Sequence, residues 1–259
     1  MKSTPKLHLL SGSLLLAAAL ATVGNLAAAS IVDFDFDTAA EFNNNFQIER
    51  GANLQWINST AKVGNSTTNS EIGVAIYDTN PGTSGYDNNT FLTETISANF
   101  FSNYYGSNTR MGLISRVQSD GTGMLVYFYP QSTTSFQVRF AYNADLDTGI
   151  GTSWHVDSLT GLTAYNINDI TLTLHQTSGV DPTFQLIVQD GTTEIYDSGA
   201  IALTATEAYN GAGAVGFFNQ NTGNRVNYTR SFMIIPEPSS MAMLAAGAAF
   251  LVFGRRRKV

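Results

Sequence analysis

The sequence predicts an all-β protein, an antiparallel sandwich or jelly roll flanked by two short apolar terminal segments. Three observations carry this. Strings such as "ITLTLHQ" (170–176) and "TFQLIVQDG" (183–191) alternate apolar and polar residues with a period of two, so that one face is buried and the other wet. Stretches rich in Gly, Asn and Asp separate such strings, and Asp120-Gly121 and Asp190-Gly191 are pairs that favour tight hairpins. No window holds a clear 3.6-residue period, and "SANFFSNYY" (97–105) is the one place where a short helical turn is expected.

The chain opens with Lys2 and Lys6, an apolar run over 14–21 and then Ala27-Ala28-Ala29, with Ala27 and Ala29 at the small-residue positions of a cleavage site. That three-part order predicts a secretory signal peptide over 1–29, cut after Ala29. In "IVDFDFD" (31–37) the phenylalanines are expected inside and Asp33, Asp35 and Asp37 in water. "MGLISRVQ" (111–118), "MLVYFYP" (124–130), "SFQVRFAY" (135–142), "AVGFFNQ" (214–220) and "YTRSFMII" (228–235) are rich in β-branched and aromatic residues and read as further strands. About a dozen short strands at this spacing suit a sandwich. No linker or repeat interrupts residues 30–235, so one β-sandwich domain is expected there.

Charge and cysteine usage narrow the function. All but Glu237 of the 20 acidic residues fall in 30–235, against 7 of the 13 basic ones, leaving this body near −12. Such a surface is unsuited to nucleic acid, which needs clustered cations to displace counterions. The chain has no cysteine, so the core alone must stabilise it, and thiol nucleophiles and Cys-ligated zinc are excluded.

The order of the strings, an early apolar-acidic strand, two hairpins, "GAGAVGFFNQ" (211–220) and a last strand returning near the start, resembles the concanavalin A-like lectin/glucanase sandwich, which includes laminin G-like modules. Glucanases of that group place acidic residues two apart on one strand, as glycoside hydrolysis needs two carboxyl groups flanking one bond. None of the six glutamates of the body has an Asp two residues away, so no catalytic residue is assigned. What the resemblance implies is carbohydrate binding. Trp154 and His155 are the candidate sugar-binding pair, an aromatic face beside a polar ring, against the plainer reading of a buried tryptophan next to a surface histidine. His175 continues the outward face of its strand.

No cofactor is called for, with one candidate ion. Asn143, Asp145 and Asp147 alternate before Gly149, an oxygen-ligand spacing like the start of a calcium loop, although the glycine comes late and Trp154 stands where a bidentate Glu would close it. Asx-rich turns without metal look the same.

The end of the chain has an apolar run, 241–253, between Pro236-Glu237-Pro238 and Arg255-Arg256-Arg257-Lys258. Thirteen helical residues rise about 20 Å, short of a bilayer core of about 30 Å. The prolines stop any helix from entering from upstream, and the basic cluster stays cytoplasmic. The segment is therefore expected as a short transmembrane helix over a sorting signal, 236–259. It resembles the PEP-CTERM signal of Gram-negative bacteria. That resemblance implies recognition of Pro236, Glu237 and Pro238, a cytoplasmic stop at Arg255, Arg256, Arg257 and Lys258, transient insertion in the inner membrane and processing by an exosortase. The family is associated with exopolysaccharide and biofilm matrix at the cell surface. Three functions stay open: a glycan-binding surface protein, a glycan hydrolase with an atypical carboxylate pair, and a purely structural or adhesive module. Mass spectrometry of the exported protein is expected to find no peptide from 241–259; recovery of the apolar run from exported material would refute the processing.

Overall fold

The computed structural model describes residues 31–51, 53–57, 62–65, 72–82, 91–106, 109–145, 151–177, 182–203, 211–220 and 227–235. The expected signal peptide, 1–29, and the sorting signal, 236–259, with its expected transmembrane helix, lie outside the described residues. Among those described, no helix is long and apolar enough to cross a membrane.

The sandwich, Ile31–Ile235, is one compact unit of two antiparallel sheets. Its strands are β1 (Val32–Phe34), β2 (Phe46–Arg50), β3 (Leu54–Ile57), β4 (Lys62–Asn65), β5 (Ile72–Tyr77), β6 (Thr95–Ser102), β7 (Arg110–Val117), β8 (Thr122–Ser132), β9 (Ser135–Asp145), β10 (Thr152–Leu159), β11 (Ile170–Gln176), β12 (Thr183–Asp190), β13 (Thr193–Asp197), β14 (Ile201–Ala202), β15 (Ala214–Gln220) and β16 (Asn227–Ile235). One sheet has nine strands in the order β13-β12-β11-β6-β16-β4-β3, with β1 also on β16 and β14 on β12. The other has seven, in the order β10-β9-β8-β7-β15-β5-β2. The expected hairpins are present: β7 and β8 pair across Asp120-Gly121, and β12 and β13 across Asp190-Gly191.

Alternation places the core. Leu172 and Leu174 of β11, Leu186 and Val188 of β12, and Ile96 and Phe100 of β6 face Leu113, Val126, Val138 and Phe140 of the opposite sheet. Phenylalanines fill the middle: the Phe217 ring lies 5.7 Å from Phe36, 5.5 Å from Phe46 and 5.8 Å from Phe232. Arg116 is fully buried at the bulge of β7, with φ 55°. Its Nη2 donates to the carbonyls of Leu92 (3.0 Å) and Thr177 (2.8 Å), so it ties two loops to the strand. Burial lowers its pKa to about 10, against the opposing pull of Glu94.

Two expectations are corrected. The stretch 97–105 makes no helical turn: Ile96, Ala98 and Phe100 alternate inward, and 95–102 pairs with β11 and β16. The helix that does form, α1 (Ala39–Asn43), follows β1. Thr38 caps it, accepting from Glu41 N at 3.3 Å, while the Glu41 carboxylate accepts from Asp35 N (3.1 Å) and Asp37 N (3.0 Å). This variant of the capping box turns the chain out of β1. "IVDFDFD" is thus a strand only to Phe34; Phe36 has φ 55° and reaches the core from the turn, with Asp33, Asp35 and Asp37 exposed as expected.

Truncation at the centre of the aromatic cluster should be costly. Phe217→Ala is expected to lose about 3–5 kcal/mol in denaturant unfolding, whereas Ile48→Ala, at a side chain 42% exposed, should stay within about 0.5 kcal/mol.

Candidate functional site

Three places bring polar and aromatic side chains together. The first is the edge where the two sheets approach through β10 and β13. The register of β10 on β9 shifts between Ser153 and His155, so Trp154 is the extra residue of a bulge. Both Trp154 and His155 consequently meet Phe140, each at 5.6 Å, and Trp154 also meets Tyr142 at 5.7 Å and Phe184 at 6.3 Å. Its indole packs edge-on against the core, and Nε1 is buried without an acceptor. His155 Nε2 lies 3.0 Å from Asp157 Oδ2, and that oxygen also accepts from the Tyr196 hydroxyl of β13. Burial pushes the Asp157 carboxyl up, but the bonds from Tyr196 and His155 outweigh it and hold it below the usual value. Burial and then Asp157 push the Tyr196 phenol well above its ordinary range. Asp157 therefore clasps two sheet edges.

The second place is the outer face of the seven-stranded sheet, which no single stretch of sequence pointed to. Directly paired residues share a face. One row across the sheet runs Arg50, Val74, Phe218, Gly112, Tyr127, Arg139 and Val156. Beside it, Ile72, Gln220 and Arg110 line up on three strands, and Tyr129, Gln137 and Ser158 on the next three. The floor is apolar: Val74, Ile114, Tyr127 and Phe218 are buried. Half-buried polar groups stand along it. The Arg110 guanidinium lies 5.7 Å from the Tyr127 ring and 5.4 Å from Tyr129, and its Nη1 donates to Gln220 Oε1 at 2.9 Å. Arg139 donates to Gln137 Oε1 through Nε (3.1 Å) and Nη2 (2.8 Å). A Cβ at Gly112 would meet Phe218 at 2.4 Å, so only glycine lets that ring lie across the strand.

The third place is the outer face of the nine-stranded sheet. There Phe101 and Tyr228 pack at 5.7 Å, with Lys62 Nζ 4.3 Å and the Arg230 guanidinium 5.2 Å from the Phe101 ring. Arg230 reaches Asp169 at 3.6 Å, and Asn99 donates to the same carboxylate at 2.9 Å. His175 lies on this face, as expected, with Nδ1 2.8 Å from Thr95 Oγ1. Of the residues proposed for calcium, Asn143 and Asp145 fall on β9; their side chains, and all of Asp147, lie outside the described residues. Among the described residues no three metal-ligating side chains cluster.

Comparison with known proteins bears on both parts of the chain. The PEP-CTERM protein-sorting motif matches residues 235–258. The sandwich superposes on a legume lectin-like domain from Entamoeba histolytica (TM-score 0.50, 9% identity, 80% of this chain and 97% of that one). The chain carries a PEP-CTERM sorting motif on a legume lectin-like β-sandwich. Lectin II from Ulex europaeus (TM-score 0.50, 11% identity, covering 81% and 99%) and the Crh5 transglycosylase in complex with NAG (0.50, 11%, 82% and 86%) have the same fold. At these identities the likeness concerns fold alone, and the lectin-like sandwich is shared by binding proteins and an enzyme. No curated protein matches the chain. The motif implies export across the inner membrane to the cell surface.

The clasp makes a stability prediction. Because the Asp157 pKa is lower folded than unfolded, its contribution is present above the unfolded value, near 4, and is lost as pH falls through the folded value. Tyr196→Phe should cost about 1 kcal/mol at pH 7, and should flatten the decline in stability below about pH 4 measured by urea unfolding.

Proposed function

We propose that this is a non-enzymatic surface or matrix protein of a Gram-negative bacterium that binds exopolysaccharide through the outer face of the seven-stranded sheet. An exosortase would process it during transient insertion in the inner membrane. One observation carries the glycan reading: the half-buried Tyr129 of β8, over a floor that includes the buried Tyr127, stands on one face among Gln137, Arg139, Arg110 and Gln220. A sugar presents an apolar ring face and a rim of hydroxyls, and a site for it combines aromatic surface with a few placed polar groups. In this reading Trp154 and His155, on the opposite face of β10, hold the strand that ends the site. Asn143, Asp145 and Asp147 would offer calcium a place at the end of β9, with EDTA as the check.

The likeness to a transglycosylase favours a second reading, a glycan-active enzyme. Chemistry on a glycosidic bond needs a pair of carboxyl groups. Among the described side chains of the seven strands, Glu49 is the one carboxylate on this face, and it already accepts from Gln47 at 2.6 Å. The pair is what the binding reading does without.

Pull-down with the host's own exopolysaccharide is expected to retain the exported protein. Tyr129→Ala should weaken retention about tenfold, in the range of a lost aromatic–sugar contact. Absence of binding to any glycan, with and without calcium, would leave only the structural reading.

A further inference from the structure

Where an acidic protein keeps its few cations says what it expects to meet. The body has seven basic residues against 19 acidic ones. Arg116 is buried, Lys62 and Arg230 are engaged on the nine-stranded sheet by Phe101 and Asp169, and Arg225 lies outside the described residues. The other three, Arg50, Arg110 and Arg139, all fall on the outer face of the seven-stranded sheet. The same sheet face holds a single carboxylate, Glu49, among its described side chains.

None of the three forms an ion pair among the described residues. Arg110 and Arg139 are held by glutamines, and Arg110 also by tyrosine rings, which orient a guanidinium without neutralising it. Parts of them are withdrawn from water with nothing in exchange: Arg50 Nη1 and Arg110 Nε are buried and bond no protein atom, and on the same sheet face neither does Gln47 Oε1. A desolvated donor on a cation left unpaired is costly, and the cost is recovered when a carboxylate arrives. The spacing suits an extended ligand. Arg50 and Arg139 stand in the same row five strand steps apart, about 24 Å at about 4.8 Å per step, with Arg110 between them in the neighbouring row.

We infer that the ligand of this face is an anionic polysaccharide whose sugars carry carboxylates, of the uronate kind, with Arg50, Arg110 and Arg139 taking carboxylates and the half-buried Tyr129 a ring face. This rests on the glycan-binding reading above and names its substrate class. Guanidinium is the suited group, because its planar fork meets a carboxylate through two parallel hydrogen bonds.

The exported protein is titrated with polygalacturonate, with its methyl-esterified neutral form, and with dextran sulfate. Polygalacturonate should bind at least tenfold more tightly than the esterified form and weaken as sodium chloride is raised from 50 to 500 mM. Arg110→Gln and Arg139→Gln should each weaken it about tenfold, the worth of one charge-assisted contact, while Lys62→Gln on the other sheet leaves it unchanged. Arg139→Lys, which keeps charge but not the fork, should recover only part of the loss and guards against a variant that fails to fold. Equal binding of the neutral and acidic forms would overturn the anionic inference and leave the glycan reading standing. Binding of none would overturn both. Dextran sulfate bound as tightly as polygalacturonate, with Lys62→Gln losing as much as Arg110→Gln, would reduce the effect to unspecific charge and overturn it too.

Discussion

Both sheets depend on two strands that arrive last. β15 lies between β7 and β5, and β16 between β6 and β4 while also holding β1. Neither sheet is continuous until residues 214–235 are in place, and Phe217 against Phe232 joins the two newcomers across the core. No cysteine can substitute for this closure. Its geometry is strict: a Cβ at Gly216 would fall 2.1 Å from the Ala75 carbonyl oxygen, and one at Gly213 would fall 2.4 Å from Arg116. Long-range pairing of this kind makes folding slow, because loop closure precedes any reward in contacts.

That closure also creates the candidate site. β15 supplies Phe218 and Gln220 to the middle of the seven-stranded face and so connects the half bearing Arg50 to the half bearing Arg110, Tyr127 and Arg139. The two outer faces then differ in chemistry. On the nine-stranded sheet the cations are spent on Phe101 and Asp169. On the seven-stranded sheet Arg110 and Arg139 face tyrosines and glutamines, and among the described residues neither they nor Arg50 has a carboxylate partner. A surface that is acidic overall and basic at one place repels most anions at a distance, and its selectivity then lies in close contacts.

The sorting motif and the sandwich answer separate questions. The motif concerns destination, and its recognition needs only a short ordered string of residues at 235–258. The lectin-like fold hosts both binding proteins and a transglycosylase, so fold leaves function to the groups carried on it.

Much of the architecture was legible locally. "ITLTLHQ", "TFQLIVQDG" and the Asp-Gly turns predict strands and hairpins because alternation and turn chemistry act over two to eight residues. The helix at 39–43 has a local signal in Thr38-x-x-Glu41, but it follows directly on the strand-like alternation of 31–37, which masks it. "SANFFSNYY" read as a turn of helix because its adjacent aromatics hide the alternation of Ile96, Ala98 and Phe100, which a partner strand on each side makes plain. Trp154 had two readings in sequence, a sugar platform or a buried tryptophan beside a surface histidine; a bulge, invisible in composition, sets it against Phe140 and Phe184. The arginines show the limit most clearly. Arg50, Arg110 and Arg139 are far apart in sequence, and each looks like an ordinary polar position on a half-buried strand. Strand identity, charge balance and export signals are properties of short segments or of sums, and these are written in the residue order. The meeting of three cations depends on which strand lies beside which, and that is set by the burial of non-local partners in one shared core.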